Sequence, residues 1–275
     1  MDEESGAPLA SFEAKWASAH PEFALALKFV PPHERAARAA FACLSFELEH
    51  AAFATRDAEP AAIKLQWWAE ELARAGRGEA RHPLTQALAT QAGFAAVPVA
   101  SWFAVIRGAL EQREPEPAAD RVAALRTYAA LYEPLAAIEA QLFGAIDAPA
   151  RARAAAASRA LRETALLSDS LRAGRLPLPL DLLARHRLAR GDLAAVSPAR
   201  TAALQEWLAT LAAEFAACPA AALGALGAAS RTADRARARR AARADEPLAA
   251  LHEAFGRLPL ATVWAAWRAG RRSPA

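Results

Sequence analysis

Residues 41–72 read FACLSFELEHAAFATRDAEPAAIKLQWWAEEL. The stretch has to break near Asp57-Ala58-Glu59-Pro60, because Pro60 has no N–H to donate and turns Glu59 away from helical geometry. Upstream, Phe41, Leu44 and Leu48 recur at helical spacing, while Phe46 and Phe53 occupy another flank. Bulky apolar groups on more than one side fit an interior helix. Downstream, Leu65, Trp68 and Leu72 form a stripe. The adjacent Trp67 and Trp68 face different neighbours, so this second helix is expected to pack on two sides. Such a pair needs further helices around it.

The rest of the chain supplies them. No stretch alternates as a half-buried strand does, Val, Ile and Thr are sparse, and strong helix formers dominate, so the fold class is all-α. Caps and breakers set the boundaries. Ser11 is expected to cap a first helix, and Pro21 to end or restart it. Further helices are expected over 33–54, 60–75, 83–92, 98–113 and 121–143, the last kinked at Pro134. Next come 149–172 as one long helix, 181–186, 198–217, 220–243 and a final pair from Glu246. The alternating prolines of Gly174-Arg175-Leu176-Pro177-Leu178-Pro179 exclude a helix there. With no internal repeat and only short loops, residues 11–275 read as one helical domain, behind a disordered tail over 1–10.

With 275 residues, 55% of them apolar, the chain can bury a sizeable core. Cys43 and Cys218 lie in apolar helical runs, as buried reduced thiols of a reducing compartment would. The N-terminal MDEESGAPLA lacks the apolar stretch of a secretory leader, and no uncharged apolar run reaches the roughly 18 residues of a membrane span. A cytoplasmic location is expected, with peripheral membrane association left open. The net charge of +3 names no partner.

Phe41–Glu49, the acidic break and Ile63-Lys64-Leu65-Gln66-Trp67-Trp68, taken in order, resemble the squalene/phytoene synthase family. They are most similar to a non-classical branch that includes a mitochondrial respiratory complex I assembly factor. The likeness continues through Lys28-Phe29-Val30-Pro31-Pro32, His82-Pro83-Leu84 with Ala87-Leu88, and the turn Ala173–Asp181. It implies an isoprenoid-synthase-like helical bundle with a central cavity. In active members it also implies head-to-head joining of two prenyl diphosphates, with magnesium held between two D-x-x-x-D pairs. Carboxylates at i and i+4 share a helix face, and Mg²⁺ combines one or two of them with phosphate oxygens.

Aligned on the first of those motifs, this chain has Glu49, His50 and Phe53; on the second it has Leu166 and Ser170, with only Asp169 acidic. Glu163 and Asp169, six residues apart, stand roughly 240° apart around a helix and cannot face one metal. Pro177 replaces the tyrosine of the G-R-x-Y-L-P turn, which keeps Arg175. The resemblance therefore implies a vestigial substrate cavity of Glu49, His50, Phe53, Leu166, Asp169, Ser170 and Arg175, with no catalytic residue, metal or cofactor. The expected role is non-catalytic binding, or assisting assembly of a membrane respiratory complex through a protein partner. The alternative is a Mg-dependent prenyltransferase built on Glu49 and Asp169. A third reading is a carrier for an isoprenoid or lipid tail.

Other signals are weaker. His50 with Glu47 or Glu49 could form an acid/base pair, though a lone helical histidine is usually structural. Glu70 and Glu71 read as the solvated flank of their helix. No G-x-S-x-G, P-loop, G-x-G-x-x-G or metal-spaced Cys/His cluster occurs. Arg231, Arg235, Arg237, Arg239, Arg240 and Arg243 could meet anionic lipid headgroups or nucleic acid. Alanine rather than aromatics fills their gaps, so a solvated face is the simpler reading and no nucleic-acid partner is expected.

Overall fold

The computed structural model describes residues 6–55, 57–144 and 146–271. Among them there are helices and no strands. In chain order these are α1 (Gly6–Ala19), α2 (Pro21–Ala26), α3 (Pro32–Glu49), α4 (Ala58–Gly76), α5 (Pro83–Ala89), α6 (Val99–Glu111) and α7 (Arg121–Phe143). They continue with α8 (Ala148–Ala165), α9 (Leu167–Arg172), α10 (Leu180–Arg185), α11 (Pro198–Ala217), α12 (Gly224–Ala241), α13 (Pro247–Phe255) and α14 (Leu260–Gly270). α3 runs on into a π-helical turn over His50–Ala54. α1 starts at Gly6, so residues 6–10 of the expected tail are helical and Ser11 lies inside the helix; residues 1–5 are outside the described residues.

Caps explain most of the helix ends. Asp120 accepts from the Ala123 N–H at 2.8 Å and Ser197 from the Arg200 N–H at 3.2 Å, each filling an orphan donor of a first turn. The expected long helix over 149–172 is instead broken at Leu166, which separates α8 from α9. Ser170 Oγ donates to the Glu163 carboxylate at 2.7 Å and lies 3.2 Å from its backbone carbonyl. Such side-chain bonds compete with the regular ladder.

α3 is an interior helix, burying Phe41, Cys43, Leu44 and Leu48 together. It packs on α1 and α5, α4 packs on α6, and α7 lies along both α6 and α8. Where α6 crosses α7, a Cβ on Gly108 would lie 2.1 Å from the Ala130 carbonyl oxygen. That carbonyl is the one Pro134 leaves without an intrahelical donor, so the proline and the glycine belong to one close crossing. α12 touches α2, α8, α11, α13 and α14. One apolar cluster gathers around α3 to α7 and a second around α8, α11 and α13; Tyr128 packs against both. Cys43 and Cys218 are buried free thiols.

Glu71 corrects the sequence reading of its helix flank. It is buried, accepting from Thr85 Oγ1 at 2.6 Å and from the Arg81 and His82 N–H groups at 2.8 Å each, beside Arg74 at 2.8 Å. Burial alone would raise its pKa, but these donors outweigh it and hold the carboxyl at about 2. Glu71 thereby satisfies the loop that delivers His82-Pro83 to α5.

The two tryptophans of α4 divide as their spacing requires. Trp68 is 2% exposed and Trp67 41%. Trp68→Ala is therefore expected to cost about 3–5 kcal/mol and Trp67→Ala about 1 kcal/mol or less. Chemical denaturation of the two variants checks this, and equal losses would contradict the placement.

Candidate functional site: a central arginine-lined cavity

Five segments converge on one cavity. α3 contributes Arg38, Phe41, Ser45, Phe46 and Glu49, a single face at steps of three and four residues. α7 adds Tyr132, Leu135, Glu139 and Phe143. α8 presents Arg151, Ala154, Ala155, Ser158, Arg159 and Arg162, with the alanines leaving room. α12 contributes Leu226, Gly227, Ser230 and Arg231, and α1 with α2 closes the space through Trp16, His20 and Phe23. The interior has about 80 Å³ open to the centre of a water molecule. A single water needs roughly 10–15 Å³ on that measure, so the space exceeds a one-water void.

Of the acids at this cavity, Glu139 is paired, and so are the acids just behind the lining. Glu139 Oε2 lies 2.9 Å from Arg151 Nε. Glu49 stands near Tyr132, whose phenol is kept protonated chiefly by burial and then by the Glu49 charge. Just behind the lining, Glu163 holds Arg159 on one side and Arg175 on the other, the latter at 3.0 Å. Glu22 holds Arg162 at 3.2 Å and Arg237 at 3.3 Å. Burial would raise the Glu22 pKa, but His20, its Nδ1 3.6 Å away, and the charges of Arg162 and Arg237 take it far below the usual carboxylate range. Arg38 pairs with Glu34 at 2.7 Å and stacks on Phe143, its guanidinium carbon 4.4 Å from the ring centre. Arg159 lies over Phe53 at 3.9 Å.

The expected site residues separate. Glu49 lines the cavity. His50 and Phe53 do not: burial, then the charges of Lys64 and Lys15, lower the His50 pKa, and its buried Nδ1 has no hydrogen-bond partner. Glu47, its suggested acid/base mate, is instead bound by Lys15 and Lys64 at 2.6 Å each. Phe53 and Arg175 meet in a smaller pocket with Tyr128 and Pro177. Ser170 is buried on Glu163. Leu166 is exposed, and Asp169, 62% exposed, pairs with Arg172 at 2.5 Å. The break at Leu166 turns both away from the cavity.

Sequence reasoning followed the carboxylates and so missed the arginines of α8. The signal available was their recurrence as Arg151, Arg159 and Arg162, one flank of an alanine-rich helix.

The arginine run on α12 does not form one face. Arg237 is buried against Asp234 at 2.6 Å, Arg231 Nε donates to the Phe215 carbonyl at 2.6 Å, and Arg240 pairs with Glu253 at 3.1 Å. Arg235, Arg239 and Arg243 remain, flanking a shallow groove floored by Ala209, Ala212, Ala213 and Ala216.

Magnesium does not fit this donor set. Among the described residues no three His, Cys, Asp or Glu side chains cluster as metal ligands. Glu49 and Glu139 are the carboxylates in the lining, and arginines stand among them.

A helical bundle closed around an interior cavity is the class that fold and site define. The sequence profile of squalene/phytoene synthase matches residues 17–268, and the chain belongs to that family. Among solved structures it is similar to the squalene synthase HpnC from Alicyclobacillus acidocaldarius, with a TM-score of 0.61 and 17% identity over 93% of this chain and 97% of that one. It is also similar to a dehydrosqualene synthase in complex with ligand, with a TM-score of 0.69 and 13% identity over 92% and 97%. No match is found among curated proteins. Nothing in these likenesses singles out the respiratory assembly-factor branch.

Glu163 gives a pH prediction. Burial raises its pKa, but Arg159, Arg175 and Ser170 outweigh that and set it below 4.5. A lowered folded pKa gives stability that is present above the unfolded value and lost as pH falls through the folded one. Glu163→Gln leaves two guanidinium groups without their counter-charge and is expected to cost about 3–5 kcal/mol at neutral pH. Melting curves from pH 7 downward should also show the gap to wild type narrowing below pH 4.5; a constant gap would contradict the assignment.

Proposed function

We propose that this chain is a non-catalytic binding member of its family, which keeps the cavity as a receptor and does not condense prenyl diphosphates. The observation that carries this reading is the state of the acids. Ionising a diphosphate needs its leaving charge neutralised by metal held from two sides. Here Glu49 faces the cavity with no second acid to share a metal: Glu139 is tied to Arg151 and Glu163 to two arginines, while Asp169 is at the surface with Arg172. A prenyltransferase built on Glu49 and Asp169 would need them on one cavity, and Asp169 does not line it. The carrier reading merges with this proposal, because aromatic and aliphatic side chains line the rest of the space.

The expected result of incubating the protein with farnesyl or geranylgeranyl diphosphate, Mg²⁺ and a reductant cofactor is no C30 or C40 hydrocarbon. Metal-dependent product that disappears in Glu49→Ala would restore the prenyltransferase reading.

An assisting role at a membrane complex rests on the sequence resemblance and on one surface feature. Among the described residues, Arg235, Arg239 and Arg243 pair with no carboxylate, and they flank the alanine groove together. No helix among the described residues is long and apolar enough to cross a membrane, so any contact of this kind would be peripheral. Each cation near an anionic leaflet contributes about 1 kcal/mol. Sedimentation with anionic vesicles is expected to exceed that with neutral ones, to fall in high salt, and to fall in a variant with all three arginines changed to Gln. Equal pelleting with both vesicle types would remove the contact.

A further inference from the structure

We propose that α14 docks this protein on an anionic lipid bilayer. Leu260, Trp264 and Trp267 enter the boundary between acyl chains and head groups, and Arg268 and Arg271 meet the lipid phosphates. None of these residues lines the central cavity or the alanine groove, and the inference depends on neither the non-catalytic reading nor the groove cations.

A helix on the outside of a bundle ordinarily turns its polar groups outward. α14 reads LATVWAAWRAG and does the reverse. Thr262, Ala266 and Ala269 share one face and are buried, where α14 lies along α12 and against α2. By the helical period, Leu260, Trp264, Trp267 and Arg271 share the opposite face. Leu260 is 87% exposed, the most of any large apolar side chain among the described residues, and Trp264 is 59% exposed. Trp267 is half-buried, and its ring centre lies 4.7 Å from that of Trp264, so the two indoles form one aromatic surface. Apolar side chains scattered singly over a surface are ordinary, but a leucine and two tryptophans on one helix face mark an interaction site.

The underside of α14 holds this face outward. Turning the indoles inward would place them where only Thr262, Ala266 and Ala269 now fit, against α12. At the far end, a Cβ on Gly270 would collide with the Phe29 carbonyl oxygen, so the helix is clamped closely on the segment Leu27–Phe29. That clamp also brings the segment carrying the exposed Lys28 against the C-terminal end of α14. The surface is therefore rigid before any partner arrives, which removes part of the ordering cost of docking.

The order of side chains along the helix selects a bilayer as the occupant. Leu260 stands at the first turn, the tryptophans in the middle and Arg268 and Arg271 at the last turn and just beyond, over roughly 16 Å of helix. Hydrocarbon, the interfacial zone that indoles favour, and lipid phosphates follow one another in the same order through one leaflet. Charge agrees with that order. α14 contains no Asp or Glu, and among the described residues Arg268 and Lys28 pair with no carboxylate. Arg271 stacks on Trp267, its guanidinium carbon 4.9 Å from the ring centre, which keeps this cation beside the aromatic surface. The surplus is positive and complementary to an anionic leaflet. A second copy docked through the same face would bring no acid on its own α14 to offset these cations.

The test uses the full chain with vesicles of phosphatidylcholine alone or in equal mixture with phosphatidylglycerol. Sedimentation reads binding, and tryptophan quenching by phosphatidylcholine brominated on its acyl chains reads insertion. The chain is expected to bind the mixed vesicles and to be quenched by the brominated lipid. The double variant Leu260→Ser with Trp264→Ser should weaken binding at least about tenfold, the scale of withdrawing two apolar side chains from the interface. Both side chains are exposed, so its circular dichroism and melting temperature should match wild type. Trp264→Phe with Trp267→Phe should keep binding and lose most of the quenching, whereas Trp67→Phe should keep both. Arg268→Gln with Arg271→Gln should reduce the preference for the anionic mixture. Changing Arg235, Arg239 and Arg243 to Gln should leave the quenching of bound protein intact, which separates this surface from the groove. Absence of acyl-chain quenching, or vesicle binding unchanged by Leu260→Ser with Trp264→Ser, would overturn the inference. So would a dimer in lipid-free solution that this double variant abolishes while the wild type ignores vesicles, because the occupant would then be a second copy.

Discussion

Glu163 is 1% exposed and carries two guanidinium groups, one from its own helix and one from the proline-rich turn beyond it. Removing a carboxylate from water costs several kcal/mol unless close partners restore the lost hydration. Arg159, Arg175 and Ser170 supply that restoration, and the need for all three shapes the chain around them. Ser170 has to fold back toward Glu163, which accompanies the break at Leu166 and sends Asp169 to the surface. Arg175 has to come inward, which holds the turn after Gly174 against α7. Arg159 is left lying over Phe53, in the cavity wall. One buried acid thus bears both on where Arg159 sits and on why Ser170 and Asp169 lie away from the cavity.

The same device recurs twice. Glu22 joins α2 to α8 and α12 through Arg162 and Arg237, and Glu47 joins α1, α3 and α4 through Lys15 and Lys64. The two are unequal in energy. Arg237 is buried with Glu22, so breaking that pair strands a charge. Lys15 is half exposed, and its bridge is screened by solvent and contributes little. The effect they share is positional. Helices distant in sequence are fixed relative to one another by directional polar contacts, where apolar packing alone would tolerate sliding.

Much of the fold was legible from local chemistry. Asp120, Ser197 and the first-turn prolines mark helix starts within a residue or two, because capping is decided by neighbours in sequence. The interior character of α3 followed from apolar groups on two flanks. The break at Leu166 was not legible, since nothing between Pro149 and Arg172 disfavours helix and its cause is a contact between Ser170 and a buried acid. Glu71 misled for a related reason: beside Glu70 it looks solvated, and only the loop from Gly76 to His82 supplies the N–H groups that bury it. The cavity was the least legible part. Arginine in an alanine-rich helix normally means a solvent face, and its inward turn depends on Glu22, Glu34 and Glu163 arriving from other segments or turns.

Under the proposed reading, arginines stand in the cavity where active members of the family would hold a metal, and that changes what such a site can do. A divalent ion with open ligand positions keeps most of its charge for the ligand and stabilises a departing diphosphate more than the intact ester. Arg159, Arg162 and Arg38 already share their charge with a carboxylate on the far side, so the field they direct at a ligand is weaker than their number suggests. Their N–H groups still match phosphate oxygens, and that match is nearly the same before and after bond cleavage. Interactions equal in ground and transition states improve binding without accelerating the reaction. Under the proposed reading, the arrangement that fixes these arginines most firmly is also the one that separates recognition of a prenyl or lipid phosphate from its ionisation. Restoring chemistry would then require freeing an acid, not adding a cation. Glu49 is the side chain best situated for that, because it lines the cavity and, among the described residues, forms no ion pair with an arginine.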